Sequence, residues 1–391
     1  MKEYKALLEK YLLIVNSKQN QDNRKYWENA DEPYLIERWR GRSARKENTP
    51  FTMALDISGY AKVLGIDCID YYTNAKNQLY EQLRYAIWEF ENLKCHRYFE
   101  NTLFISFGSI FEASMFGANI HYLPGQAPWI DEKNPVIKEK EDIFKVPAFN
   151  FYRSGLCGKV YEFFEILKKL TNGYDIQVMY PITLRSPFSI ALMLRGFNGL
   201  LMDIYDDPKF FNDLMRLITD YLKEYAKARA EFLGEPVAKG MLFNDEVSSQ
   251  MFSNEIYQSL ILPYEIELSE FCGGLRYWHS CGVTDPFYDS ISTIPRLKMM
   301  HLGPWSDIPK AVEVFSKKDI ALEICLNSVA DVYEASEGQI RQKLEYIRSV
   351  CEGKIRYSVR ADGLAILTTI EEDLAKVNLW SKIASEVFPG Y

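Results

Sequence analysis

The chain has 391 residues, 47% of them hydrophobic, and a formal net charge of −8. Its length suits one large α/β domain with an extension, and its apolar content is ordinary for a globular core. The acidic balance argues against a nucleic-acid surface, which needs clustered Lys and Arg, and no run approaches the roughly 18 apolar residues of a membrane span.

Seven cysteines are scattered without a framework spacing, and the first residues lack a charged-then-apolar leader pattern, so a cytoplasmic chain with reduced thiols is expected. Residues 1–50 read as a polar extension that packs on the main domain and offers a dimer contact. Tyr4, Leu7, Leu8, Tyr11 and Leu12 recur there at helical spacing. Arg38-Trp39-Arg40-Gly41-Arg42, flanked by acidic residues, reads as a solvated surface turn.

Residues 51–391 alternate short apolar runs with longer amphipathic stretches. The runs are Phe51–Ile57, Thr102–Phe107, Ile176–Ile182, Lys239–Phe243, Leu275–His279, Leu297–Leu302, Ile320–Leu326 and Lys354–Val359. Helices are expected between them, for example over Asn77–Glu91 and Pro208–Phe232. In the second, Phe210, Phe211, Leu214, Leu217, Ile218 and Leu222 mark one face. Eight strands alternating with helices predict an α/β fold, a (β/α)8 TIM barrel with an N-terminal helical extension. The long stretch between the second and third strands, with Gly117, Pro124–Trp129 and Pro147, is expected to form an elaborated loop on the face where barrel active sites are built.

The fifth run ends in His279-Ser280-Cys281-Gly282. Residues i and i+2 of an extended segment point to one side, so the imidazole and thiol face one point, as two zinc ligands must.

Several segments together resemble the uroporphyrinogen decarboxylase superfamily, in its cobamide-dependent methyltransferase branch. They are Arg185-Ser186-Pro187-Phe188 with Leu194-Arg195-Gly196, Met202–Pro208, Asn244-Asp245-Glu246, Phe252–Tyr264, His279–Gly282 and His301–Ile308. The resemblance implies a (β/α)8 barrel and a zinc held by the H-x-C pair and a cysteine after the last strand. His279 and Cys281 match the first two ligands. In the third place the chain departs, because Val359–Leu364 holds Asp362 and no cysteine follows Cys351.

Cys325, His301, Asp362 and the Asp245-Glu246 pair lie near strand ends and are the groups available to complete such a site. We expect Cys325 as the third metal ligand beside His279 and Cys281. Asp245 and Glu246 are expected to be catalytic, and Arg185, His301 and Asp362 to bind substrate. Arg195 is a further candidate for an anion, or for pairing with Asp203 or Asp206. Trp129, Tyr152 and Trp305 either shape the mouth or simply pack.

The implied activity is zinc-dependent methyl transfer between a corrinoid and a small thiol or related acceptor, in either direction. No Asp-x-His-x-x-Gly signature is present, so the corrinoid is expected on a separate partner protein. The alternatives are a decarboxylase, or a non-catalytic ligand-binding barrel suggested by the missing cysteine. Ala54–Tyr60, where the decarboxylases' Arg-Gln-Ala-Gly-Arg motif would fall, has an Asp and no paired arginines.

Overall fold

Ten strands form in chain order in the computed structural model, which describes residues 2–28 and 40–389. They are β1 (Phe51–Leu55), β2 (Thr102–Phe104), β3 (Ile120–His121), β4 (Trp129–Ile130), β5 (Gln177–Met179), β6 (Gly240–Phe243), β7 (Leu275–His279), β8 (Met299–Leu302), β9 (Ala321–Leu326) and β10 (Tyr357–Leu364). The short hairpin β3–β4 lies in the long loop, and the other eight correspond to the eight apolar runs. The last differs in extent: it starts later and runs on to Leu364, so Asp362 stands on the strand and not after it.

Six of these strands make one parallel sheet, in the order β1-β10-β9-β8-β7-β6, and β2 pairs in parallel with β5 alone. Among the described residues the ladder therefore does not close into the single eight-stranded ring expected. Between β5 and β6 only a bridge from Arg185 to Phe243 remains, where Phe243 N–H donates to Leu184 C=O at 2.8 Å. Along β2, whose only strand partner among the described residues is β5, side chains take up backbone groups that a second strand would pair. Gln78 and Gln82, one turn apart on the helix Ala75–Asn92, are both buried. The Gln82 amide exchanges hydrogen bonds with the N–H and C=O of Phe104, and the Gln78 amide does the same with Ser106. Two carboxamides thus satisfy the β2 edge as a neighbouring strand would.

Local sequence explains the longest helix, Pro208–Leu233. Asp207 caps it by accepting from Phe210 N–H, Pro208 fits its first turn, and Gly234 ends it in the left-handed conformation. Its apolar face packs Phe211, Leu214, Ile218 and Leu222 into the core. Strand alternation sorts the sheet residues. Trp278, Met300, Leu302, Leu322, Ile324, Val359 and Ala361 join the larger core cluster, whereas Ile182, Met241, Phe243, Tyr277, Met299 and Ala321 pack together on the other side. Continuing that second face toward the strand C-termini brings His279, His301, Glu323, Cys325, Arg360 and Asp362 to one end of the sheet.

The N-terminal helices Lys2–Val15 and Lys18–Arg24 are tied to this body. Leu8, Tyr11 and Ile14 are buried. The Asn20 amide bonds Phe99 N–H at 2.7 Å and Phe99 C=O at 2.8 Å, and Trp27 donates to His96 C=O at 2.7 Å. Of the Arg38–Arg42 run, Arg38 and Trp39 lie outside the described residues. The rest corrects the surface-turn reading, because Arg42 is buried and ion-paired to Glu100 at 2.9 Å, and Arg40 enters the strand-end site. A solvated face needs no carboxylate partners inside the protein, and both arginines have them.

Candidate functional site

The site begins with the register of β6 and β7. Phe243 lies opposite His279, and Asn244 N–H donates to His279 C=O at 2.7 Å, which brings the next residue, Asp245, beside the imidazole. His279 Nε2 is 2.8 Å from Asp245 Oδ1 and 3.3 Å from Cys281 Sγ. The Cys281 thiol in turn lies 3.6 Å from Asp245 Oδ1. Residue 282 must be small, because a Cβ there would meet Ser248 Cβ at 2.6 Å and Val247 C=O at 2.8 Å. Gly282 lets the H-x-C turn close onto the β6 loop.

One nitrogen, one sulfur and one oxygen, all within 4.8 Å of one another, form the one group of potential metal ligands among the described residues. The third member is Asp245 and not Cys325, which stays outside it. Cys325 is buried along β9, where burial raises its thiol and the charges of Arg40 and Arg360 partly offset that rise. A mixed N, S, O set of this kind suits zinc, and three protein ligands leave a coordination position open. The donor identities therefore fit.

Burial, with the Arg40 charge second, lowers the His279 imidazole to about 4, so it is neutral near pH 7. Burial and then the Asp245 carboxylate push the Cys281 thiol up to about 12, although the residue itself sits at the exposed rim with its sulfur turned toward His279. Without a cation beside it this thiol stays protonated and weakly nucleophilic.

Arg185 holds the carboxylates, with Nη1 2.8 Å from Asp245 Oδ2 and 3.1 Å from Glu246 Oε1. Glu246 also accepts from the Ser189 hydroxyl, and burial raises its carboxyl while Arg185 opposes the rise. Asp245, rather than Glu246, is thus the acid that faces the sulfur. His301 Nδ1 lies 2.9 Å from Ser280 C=O, and its ring stands 4.0 Å from that of His279. Burial drives His301 well below its ordinary range. Asp362 is ion-paired to Arg40 and, at 3.0 Å, to Arg360. Arg195 lies apart, paired at 2.7 Å with Asp203. Trp129 lies under the Arg185 guanidinium at 5.9 Å, while Tyr152 packs in an aromatic group with Tyr161 and Phe232. Trp305 is exposed.

Sequence reasoning missed the most intrusive residue. Arg40 Nη1 is 3.0 Å from His279 Nδ1 and 3.3 Å from Nε2, which sets its charge against the ring, while Asp245 Oδ1 faces Nε2 at 2.8 Å. Its backbone can pass there because Gly41 adopts φ +71°, and a Cβ at that position would lie 3.1 Å from Tyr277 Cβ. The signal was present in the letters. Arg38, Gly41 and Arg42 match three of the five letters of the Arg-Gln-Ala-Gly-Arg motif sought near Ala54.

A family model described as "Uroporphyrinogen decarboxylase (URO-D)" matches residues 87–354. A search among curated protein sequences returned no match. Among solved structures, a methyltransferase from Methanosarcina mazei superposes with a TM-score of 0.62 at 15% identity, covering 87% of this chain and 95% of that one. At that identity the likeness speaks to fold.

Proposed function

The chain belongs to the uroporphyrinogen decarboxylase (URO-D) family, and from that membership we propose a methyltransferase whose barrel carries a zinc at His279, Cys281 and Asp245. Its reaction moves a methyl group between a corrinoid, bound by a separate protein, and a small thiol or related acceptor. The observation that carries this reading is the mutual approach of the three ligand atoms within 4.8 Å at the strand C-termini. When bound, zinc supplies the positive charge that stabilises a thiolate at neutral pH.

The protein's own residues arrange that chemistry. Neutral His279 offers a nitrogen lone pair rather than a competing charge. Arg185 fixes Asp245 from the far side, so the carboxylate oxygen keeps its aim at Nε2 and Sγ. In the tautomer with its proton on Nε2, His279 donates to Asp245, and that proton must leave Nε2 before the atom can act as a ligand. Glu246, raised by burial, is the nearby group suited to hold a proton released by an incoming thiol. The eight strands, joined at the glutamine seam and the Arg185 bridge, are read as one (β/α)8 barrel around this end.

A second reading, a carboxy-lyase of an anionic substrate, is favoured by Arg40, Arg97 and Arg360, which line the adjoining cavity. They correct the expectation of a mouth without paired arginines. Elemental analysis of the purified protein beside Cys281→Ala tests the first reading. About one zinc per chain is expected, absent from the variant. A protein that takes up no zinc when supplied, yet turns over a carboxylate substrate, would move the assignment to the second.

A further inference from the structure

Strand alternation turns the residue just before a ligand to the opposite side of the sheet. Asn244 precedes Asp245, and Trp278 precedes His279. Both are fully buried, and both meet one side chain there, Glu265 of the helix Leu262–Phe271. Trp278 Nε1 donates to Glu265 Oε2 at 2.9 Å. The Asn244 carboxamide stands close enough to favour the charge of the same group. The two preceding residues are also joined across the strands, since Asn244 N–H donates to His279 C=O at 2.7 Å and Leu242 lies opposite Trp278.

Glu265 is held from a third direction. A π turn, Tyr257–Ile261, leads into its helix, and the Tyr257 hydroxyl donates to Oε2 at 2.6 Å. Such turns are rare and are frequent at functional sites. Oε2 therefore takes two donors, whereas Oε1 and both polar atoms of the Asn244 carboxamide complete no hydrogen bond. Unmet polar atoms in a sealed place cost stability, and an apolar side chain would fill the same space without that cost. What the carboxyl adds is direction. An indole tied to a fixed acceptor cannot turn or slide in its packing, and a histidine one residue further along the strand inherits that constraint.

We propose that Glu265 is a positioning residue for the His279–Cys281–Asp245 cluster, fixing the imidazole and the Asp245 carboxylate relative to each other from behind the sheet, through Trp278 and Asn244. The inference rests on the reading above only in taking the cluster for a metal site. The placement itself belongs to the chain without metal.

The chain has four histidines, so their ring nitrogens can be followed by NMR in the metal-free full chain labelled with ¹⁵N-histidine, with His279 identified by its loss in His279→Gln. Glu265→Gln keeps an acceptor for Tyr257 and Trp278 and an N–H toward Asn244, and wild-type His279 signals are expected. Glu265→Met keeps the bulk and removes the acceptor, and the His279 signals are expected to move. Asn20→Ala is the control for lost stability alone, since its amide bonds Phe99 and Val15 and no residue of the cluster; its His279 signals are expected to stay. Cobalt(II) affinity, read from the visible bands of the loaded chain, is expected to fall about tenfold or more in Glu265→Met and to be kept in Glu265→Gln. Unmoved His279 signals or wild-type cobalt affinity in Glu265→Met, equal changes in the Gln and Met variants, or movement in Asn20→Ala overturns the proposal. Should Glu265→Met not fold, Trp278→Phe removes one arm alone, and unmoved His279 signals there overturn it instead. A wild type that takes up no cobalt fails the metal reading alone, and the His279 signals then decide the role of Glu265 by themselves.

Discussion

His279 is held between opposite demands. Metal on Nε2 requires the ring proton on Nδ1, where it would confront the Arg40 guanidinium 3.0 Å away instead of an acceptor. Ligating histidines ordinarily donate that proton to a carboxylate, carbonyl or water, and such partners change affinity by about 10- to 100-fold. Here the Tyr277 oxygen, 3.4 Å from Nδ1, is the acceptor at hand. Arg40→Gln is therefore expected to tighten zinc binding by roughly tenfold, measured by competition with a chelator of known affinity. Unchanged or weaker binding would show that Arg40 does not oppose the metal. The H-x-C pair was legible because strand period alone sets its geometry. Arg40 was not, because an arginine-rich turn among acids looks the same whether its carboxylates lie in front of it or 322 residues away.

The eight main strands were legible as elements, since apolar runs between helical faces report burial directly. What the runs could not report was pairing. The seam beside β2 depends on Gln78 and Gln82, whose role as a substitute strand edge exists only once the helix Ala75–Asn92 lies against it. A second hidden feature sits behind β7. Glu265, fully buried on the helix Leu262–Phe271, accepts from the Tyr257 hydroxyl at 2.6 Å and from Trp278 Nε1 at 2.9 Å. Burial raises its carboxyl to about 7 despite both bonds. The folded chain thus holds a proton that the unfolded chain releases near the ordinary value of 4.5. That contribution is intact below the unfolded value and is lost as pH rises through about 7. Its size is at most about 3 kcal/mol. Urea denaturation of Glu265→Gln is expected to show a flatter stability profile from about pH 5 to 8 than the wild type. Parallel profiles would remove Glu265 as the cause.

Across the whole molecule, the extension and the strand body share one set of contacts. Asn20 satisfies both backbone groups of Phe99 in buried surroundings and the C=O of Val15, at 2.8 Å, in partly buried ones. Asn20→Ala leaves these groups unmet and is expected to cost about 1–3 kcal/mol in chemical denaturation. A loss well below this would mean that the first two helices dock independently of the amide. That the N-terminal helices Lys2–Val15 and Lys18–Arg24 pack on the main body was legible from their apolar stripe; that Arg40 enters the strand-end site was not. Because a growing chain emerges from its N-terminus, Arg40 is made 322 residues before the Asp362 that receives it. At about 5–20 residues per second this interval lasts roughly 15 to 60 seconds. For most of that time His279, at the end of β7, and Cys281 after it are still to come, and the guanidinium has no partner on β10. The first part of the site to be synthesised is among the last to be set in place.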